Sequence, residues 1–463
     1  MATSTYLQNS HTGTGSSTGE KATMSVWVKR TDPSGDTRST IIGARTDDNN
    51  YFKIRFADND RLMAYGAKSG STNLDIQTNA EFRDVFGWYH IVLQIDTTNA
   101  TETERVKWYV NGELQTLRST DKQYPSQNDV NHLTSASDIN IGCNAVGSPN
   151  EHFDGTMSHF HLIDGTIYAP TVFGSTDATT GEWKINTSPN VTYGSKGFFI
   201  LKDGNSVTDQ SGNNNDFTVG AGTLTKTEDN PSNVFCTLNP LTNQGSYTFE
   251  HGNNSLEGNN TNDWTKGIGG TLGAKSGKYY WEVKQISGSH TDYNIFGFMK
   301  ADEVMNTSAN LYSSGNMNAF QTDDNTTVTI YAQTGSYANY MKISGSQIAI
   351  SDGDVVSFAL DLDNRKCWVA KNGVWVDDKD GNTNGSSINT SYPLWGTGEI
   401  TADTFYTPAS IQYYDPKCQY NFGNGYFGTT AISSEGTNAS GIGKFEYDVP
   451  TGFTALSTKG LNE

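Results

Sequence analysis

The chain has 463 residues, with 31 Lys plus Arg against 50 Asp plus Glu and a formal charge of −19. That length predicts two or three domains, and that charge argues against the basic patches that bind nucleic acid or anionic membrane surfaces. Only 17% of residues are charged while Gly numbers 48 and Tyr 23, so the polarity comes from Asn, Thr, Ser and Gly, the composition of many short strands joined by turns.

The opening MATSTYLQNSHTGTG has no basic start and no apolar run, so no secretory signal is expected. No segment approaches the roughly 20 apolar residues that span a bilayer. The expectation is a soluble chain without membrane insertion. In ATMSVWVKR, Met24, Val26 and Val28 share one face while Ser25, Trp27 and Lys29 share the other. A period of two marks a half-buried strand. YFKIRF continues it, with Phe52, Ile54 and Phe56 against Lys53 and Arg55. WYHIVLQID places Ile91, Leu93 and Ile95 together, and RVKWYVNGEL ends in Asn111-Gly112, the pair that a type I′ hairpin turn prefers.

Residues 190–222 are irregular apart from GFFIL, and DQSGNNND follows as a loop. EDNPSNVFCTLNPL (228–241) reads as an extended connector, because Pro231 and Pro240 disfavour helix at the residues before them. Alternation then resumes. In KYYWEVKQI, Tyr280, Glu282 and Lys284 oppose Tyr279, Trp281, Val283 and Gln285. GDVVSFALDLDNRKCWVAKNGVW aligns Val356, Phe358, Leu360 and Leu362 and reaches a second Asn-Gly at Asn372-Gly373. The two halves share one grammar: an alternating strand ending in Asp, a turn, an aromatic strand and Asn-Gly. A meander that small cannot bury its own face, so each is expected to belong to a two-sheet sandwich. The tail carries Phe445, Tyr447, Phe453 and Leu456, which need cover. The four cysteines (Cys143, Cys236, Cys367, Cys418) have no CxxC spacing and are expected as reduced, packed thiols. The predicted class is all-β, with two antiparallel sandwiches in tandem: 1–189, a connector over 190–245, a second sandwich over 246–430 and a packed tail over 431–463.

The first half resembles the laminin-G-like branch of the concanavalin A-like sandwiches, through SVWVKR (25–30), YFKIRF (51–56), WYHIVLQID (88–96), KWYVNGEL (107–114), INIG (139–142) and FDGTMSHFHLIDG (153–165). The second half resembles a SPRY domain, through SGKYYWEVK (276–284), GFM (297–299), the stretch 353–375, YTPASIQYY (406–414) and YNFG (420–423). With TGEWK, DQSGNNNDFTV, DNPSNVFCTLNPL and PTGFTALSTKGLNE added, the whole is similar to virion proteins of tailed, especially marine, bacteriophages. The resemblance implies a jelly-roll-type structural protein of the virion, assembled in the host cytoplasm. It would sit on capsid or tail as a decoration protein or fibre, with other virion proteins as partners, homo-oligomerisation, and adhesion to host-surface glycan. A coating role without ligand is the alternative.

The same sandwich supports laminarinase-type hydrolases, which place paired carboxylates along one strand. The nearest string here is Glu446-Tyr-Asp448, in the tail, so no enzyme is expected. GIGGTLG (267–273) lacks the Lys-Ser/Thr of a phosphate loop. His152, His159 and His161 form a histidine cluster, read as polar positions of a strand. Calcium is the candidate cofactor, with Asp58 and Asp60 in DNDR and Asp378 and Asp380 in DDKDGN offering hard oxygen ligands on turns. Sugar binding needs exposed aromatics beside Asn or Asp; Trp395, Tyr392, Tyr337 and Tyr340 are the candidates, while Trp27, Trp108, Trp281 and Trp368 read as strand positions.

Overall fold

The computed structural model describes residues 5–10, 18–33, 38–120, 122–202, 206–242, 247–260, 267–288, 293–304, 317–324, 327–331, 341–344, 349–377, 382–383 and 385–462. The chain divides into two compact units, Met1–Lys226 and Thr227–Glu463. Both are β-sandwiches of antiparallel sheets.

In chain order the first unit contains β1 (Tyr6–Ser10), β2 (Lys21–Arg30), β3 (Ser39–Asp47), β4 (Asn50–Phe56), β5 (Arg61–Lys68), β6 (Ser71–Glu81), β7 (Tyr89–Asp96), β8 (Val106–Val110), β9 (Glu113–Leu114), β10 (Asp138–Ile141), β11 (Gly155–Asp164), β12 (Gly174–Thr176), β13 (Trp183–Ile185), β14 (Phe198–Ile200) and β15 (Thr218–Ala221). One sheet has the order β15-β1-β10-β3-β4-β5-β6 and the other β14-β11-β2-β7-β8-β9. The alternation read from sequence decides which residues meet between them. Met24, Val26, Val28, Ile91 and Leu93 from one sheet join Ile42, Phe52, Ile54 and Ile76 from the other in a single buried core. Each such side chain contributes about 1.5–3 kcal/mol by leaving water.

The second unit contains β16 (Tyr247–Glu250), β17 (Ser255–Gly258), β18 (Ile268–Gly269), β19 (Lys278–Ser287), β20 (Tyr293–Lys300), β21 (Met317–Asp324), β22 (Thr327–Tyr331), β23 (Met341–Ser344), β24 (Val355–Asp361), β25 (Lys366–Lys371), β26 (Val374–Asp377), β27 (Asn382–Thr383), β28 (Tyr406–Tyr413), β29 (Lys417–Asn421), β30 (Tyr426–Phe427), β31 (Thr430–Ala431) and β32 (Thr454–Ala455). One sheet runs β16-β17-β29-β19-β24-β25-β26-β27, with β32 joining β19 in parallel, and the other runs β18-β28-β20-β21-β22-β23. Trp281, Val283, Val356, Phe358 and Leu360 face Phe296, Phe298, Phe320 and Ile330 across the core.

The segment over 190–226, read from sequence as part of a connector, is built into the first unit. GFFIL supplies β14, which completes a sheet beside β11, and Thr218–Ala221 pairs with β1. Residues 227–242 lie in the second unit, where Phe235, Cys236 and Leu238 are buried. All four cysteines are buried thiols outside any disulfide. Among the described residues no helix is long and apolar enough to cross a membrane.

Candidate functional sites

The two Asn-Gly pairs form the same device. Asn111 and Gly112 have φ of 48° and 82°, and Asn372 and Gly373 have 48° and 76°, the left-handed pair of a type I′ turn. Each asparagine side chain reaches back across the hairpin: Asn111 Oδ1 accepts the His90 amide at 2.8 Å, and Asn372 Oδ1 accepts the Val355 amide at 2.8 Å. Each glycine also lies beneath an aromatic ring from a later segment. A Cβ on Gly112 would meet Trp183 Cζ3 at 2.5 Å, and one on Gly373 would meet Tyr447 Cδ1 at 2.6 Å. The turns therefore seat covering segments and leave no opening for a ligand.

On the first unit's outer face the covering hairpin β12–β13 brings Trp183 to His90. The indole Nε1–H donates to His90 Nδ1 at 2.9 Å, so the neutral ring carries its proton on Nε2 and donates to Ser25 Oγ, also 2.9 Å away. Burial pushes His90 down to about 3, which fixes it neutral. A serine nucleophile needs the opposite polarity, with an unprotonated Nε2 accepting its hydrogen. This Ser–His pair is a structural strut. His161 is likewise buried: Phe199 stacks on it at 3.9 Å, its Nδ1 is 2.8 Å from the Tyr193 hydroxyl, and burial holds it well below its usual range. His159 sits at a bulge with φ of 49°. Among the described residues no group of three or more His, Cys, Asp or Glu side chains is placed to hold a metal ion.

The candidate calcium pair separates. Asp60 is fully buried at φ 59°, and its two oxygens accept Arg30 at 2.9 Å and Arg83 at 2.8 Å. Asp58 is 56% exposed and lies 3.5 Å from Arg38. Both Asp60 oxygens are occupied by guanidinium groups, which corrects its reading as a calcium ligand. Asp378 and Asp380 lie outside the described residues.

Other acidic groups are also committed to the fold. Glu151 (φ 51°) meets Arg55 at 2.8 Å, Lys53 at 3.3 Å and Arg38 at 3.6 Å. Burial alone would raise its carboxyl, but Arg55 and Lys53 outweigh that and hold it low. In the DQSGNNND loop, Asp209 accepts the Phe199 and Ser211 amides on Oδ1, and the Ser211 hydroxyl and Asn215 amide on Oδ2, at 2.7–2.9 Å. Glu446 and Asp448 of the tail accept from Ser433 and Thr437 respectively.

The four sugar-stacking candidates fare differently. Trp395 is fully buried, because its backbone bridges to Cys367 and its ring packs between Phe298 at 5.6 Å and Phe358 at 6.4 Å. Its place in the core corrects the expectation of an exposed loop. Tyr392 is 52% exposed. Tyr337 and Tyr340 lie outside the described residues. The sequence reading missed Phe405, which is 54% exposed with Lys275 Nζ 5.8 Å from its ring centroid; its only sequence signal is an aromatic preceding the strand Tyr406–Tyr413.

A search of curated proteins finds no match to the chain. Solved structures that match the chain include the SPRY domain of human HERC1 (16% identity, TM-score 0.27, 40% of this chain and 96% of that one). A native heptameric SAP-like pentraxin from Limulus polyphemus matches at 14% identity (TM-score 0.27, 35% and 71%). Mouse laminin alpha1 chain domains LG4-5 match at 8% identity (TM-score 0.28, 94% and 90%). Residues 2–173 match the laminin G family described as the concanavalin A-like lectin/glucanases superfamily.

Proposed function

We propose that the chain is a non-catalytic component of a tailed-bacteriophage particle that displays loops for adhesion to host-surface glycan. One observation carries the adhesive reading. Among the described residues the exposed aromatic side chains are Tyr392 and Phe405, and both come from the same stretch of the second unit, 385–406. Exposed aromatic rings stack on sugar faces, and the stretch also carries the exposed carboxylate of Asp403 to bond hydroxyl groups. The carboxylates described above support binding over turnover, since their oxygens already hold backbone amides, hydroxyls or cations. The phage assignment rests on the narrower resemblance of the joining region and tail, from FDGTMSHFHLIDG and TGEWK through DNPSNVFCTLNPL to PTGFTALSTKGLNE.

A glycan array and a pull-down of host cells test the adhesive reading, comparing the wild-type chain with Tyr392→Ala and Phe405→Ala. The expected result is retained binding in the wild type and at least a tenfold loss in the variants, with unchanged melting temperatures. Binding that survives both substitutions, absence of any glycan or cell binding, or release of reducing sugar on incubation overturns it; the second outcome favours a purely structural coat.

A further inference from the structure

We propose that the C-terminal segment is a proton-linked strap, held on the second unit by the buried carboxyl group of Glu282 and loosened when that group ionises. Residues 444–453 cross the outer face of the sheet containing β19, β24 and β25, and Thr454–Ala455 then joins β19 in parallel. Phe445, Val449, Phe453 and Ala455 pack there with Tyr280, Ala359, Trp368, Ala370 and Trp375. At the centre lies Glu282, fully buried on β19. Its Oε1 is 3.0 Å from the Tyr280 hydroxyl and 2.9 Å from the Tyr447 amide. Its Oε2 is 3.1 Å from Asn421 Nδ2 and 3.0 Å from the Glu446 amide. Two of the four contacts are therefore to the strap's own backbone. Asn421 adds a third tie by donating to the Lys444 carbonyl at 2.9 Å.

All four partners of Glu282 are neutral donors, whose hydrogen bonds favour the ionised form, while burial without a counter-ion favours the protonated one and outweighs them. The surrounding charges are spoken for. On the strap, Lys444 pairs with Glu228 at 2.9 Å, Glu446 bonds the Ser433 hydroxyl, and Asp448 bonds Thr437. Beside β24, Asp354 pairs with Lys371 at 3.0 Å and accepts from Asn372. On β19 itself, Lys284 lies 5.6 Å from the Phe427 ring centroid. Tyr280 and Tyr447 are the remaining titratable neighbours, and burial raises both phenols, so they stay neutral through the physiological range.

Burial pushes the Glu282 carboxyl up to about 7 from its ordinary 4.5, against the opposing pull of the Glu446 and Tyr447 amides. A group whose folded value is raised contributes its stabilisation fully below its ordinary value and loses it as pH rises through the raised one. The strap is therefore held most tightly in acid and weakens between about pH 4.5 and 7. Across pH 5 to 9 the loss amounts to tens of fold in the docking equilibrium.

The test is hydrogen exchange at the Glu446 and Tyr447 amides in the full chain from pH 5 to 9, with each rate divided by the intrinsic rate at that pH. Protection is expected to fall by tens of fold in the wild type and to stay flat in Glu282→Gln. A second readout needs no variant: the infrared carbonyl stretch of a desolvated, protonated carboxyl should be present at pH 6 and gone at pH 8. Constant protection across pH 5–9 in the wild type, a decline that Glu282→Gln retains, or absence of the protonated stretch at pH 6 overturns the proposal.

Discussion

Replacing Asp60 by Asn separates the charge of this residue from its backbone role. Asparagine fits the same space and tolerates the left-handed φ of 59°, so the turn between β4 and β5 survives. The ion pair does not. Arg30, whose side chain is 2% exposed, loses its partner at 2.9 Å. It keeps the Asp32 carbonyl at 3.1 Å, the Phe82 carbonyl and the face of Phe56 at 4.3 Å, but none of these carries charge. Removing one partner of a buried pair costs about 3–5 kcal/mol, and the retained carbonyls place Asp60→Asn near the lower end. Arg83 is 58% exposed, so Arg83→Ala should cost under about 1 kcal/mol. For a unit of this size, about 3 kcal/mol lowers the melting temperature by roughly 6–12 °C. Differential scanning calorimetry of the full chain reads it as a shift of the first unit's transition. A loss below about 1 kcal/mol for Asp60→Asn, or a calcium-dependent rise in that transition which Asp60→Asn abolishes, would refute the assignment of Asp60 as a buried ion-pair partner.

The other predictions concern the covering segments and pH. Trp183→Ala removes the donor to His90 Nδ1 and the ring over Gly112 and Gly174, and should destabilise the first unit by about 2 kcal/mol in urea unfolding. Gly373→Ala meets both a φ of 76° and Tyr447 at 2.6 Å, whereas Gly385→Ala meets only a φ of 69° with nothing within 4 Å; both should cost about 1 kcal/mol for the backbone, with a further loss confined to Gly373→Ala. His90, held near 3 by burial, contributes stability that is present above pH 6.5 and is lost as pH falls toward 3. Melting of the first unit across pH 7 to 4 should fall in the wild type and fall less in His90→Gln.

The core faces were readable because period-two alternation is imposed by the pleat itself. Met24, Val26 and Val28, and likewise Val356, Phe358 and Leu360, lie where their spacing puts them. The outer faces were not readable, because their cover comes from distant chain. The strand register pairs Ser25 with Val92 and Glu282 with Ser357, and in each case the outward residue is met by a segment far along the sequence, Trp183 by way of His90 for Ser25 and Glu446–Tyr447 for Glu282. No local pattern announces that meeting. Trp395 misled for a related reason: PLWG has turn composition, yet a single bridge to Cys367 turns its ring inward. Asp60 misled because DNDR has the composition of both a calcium loop and a turn. Only the approach of Arg30 and Arg83 from other strands and loops decides between them. Asp209 and its asparagines show the same ambiguity, resolved when the loop's own amides fill the carboxylate.

Membership of a virus particle, proposed above, is tested by quantitative mass spectrometry of particles purified from a tailed-phage lysate in which the chain is expressed. The chain is expected in the particles at a fixed, symmetry-set stoichiometry relative to the major capsid protein, with a small multiple marking tail or fibre and a large one marking the capsid. Expression in infected cells with no chain in purified particles would contradict it.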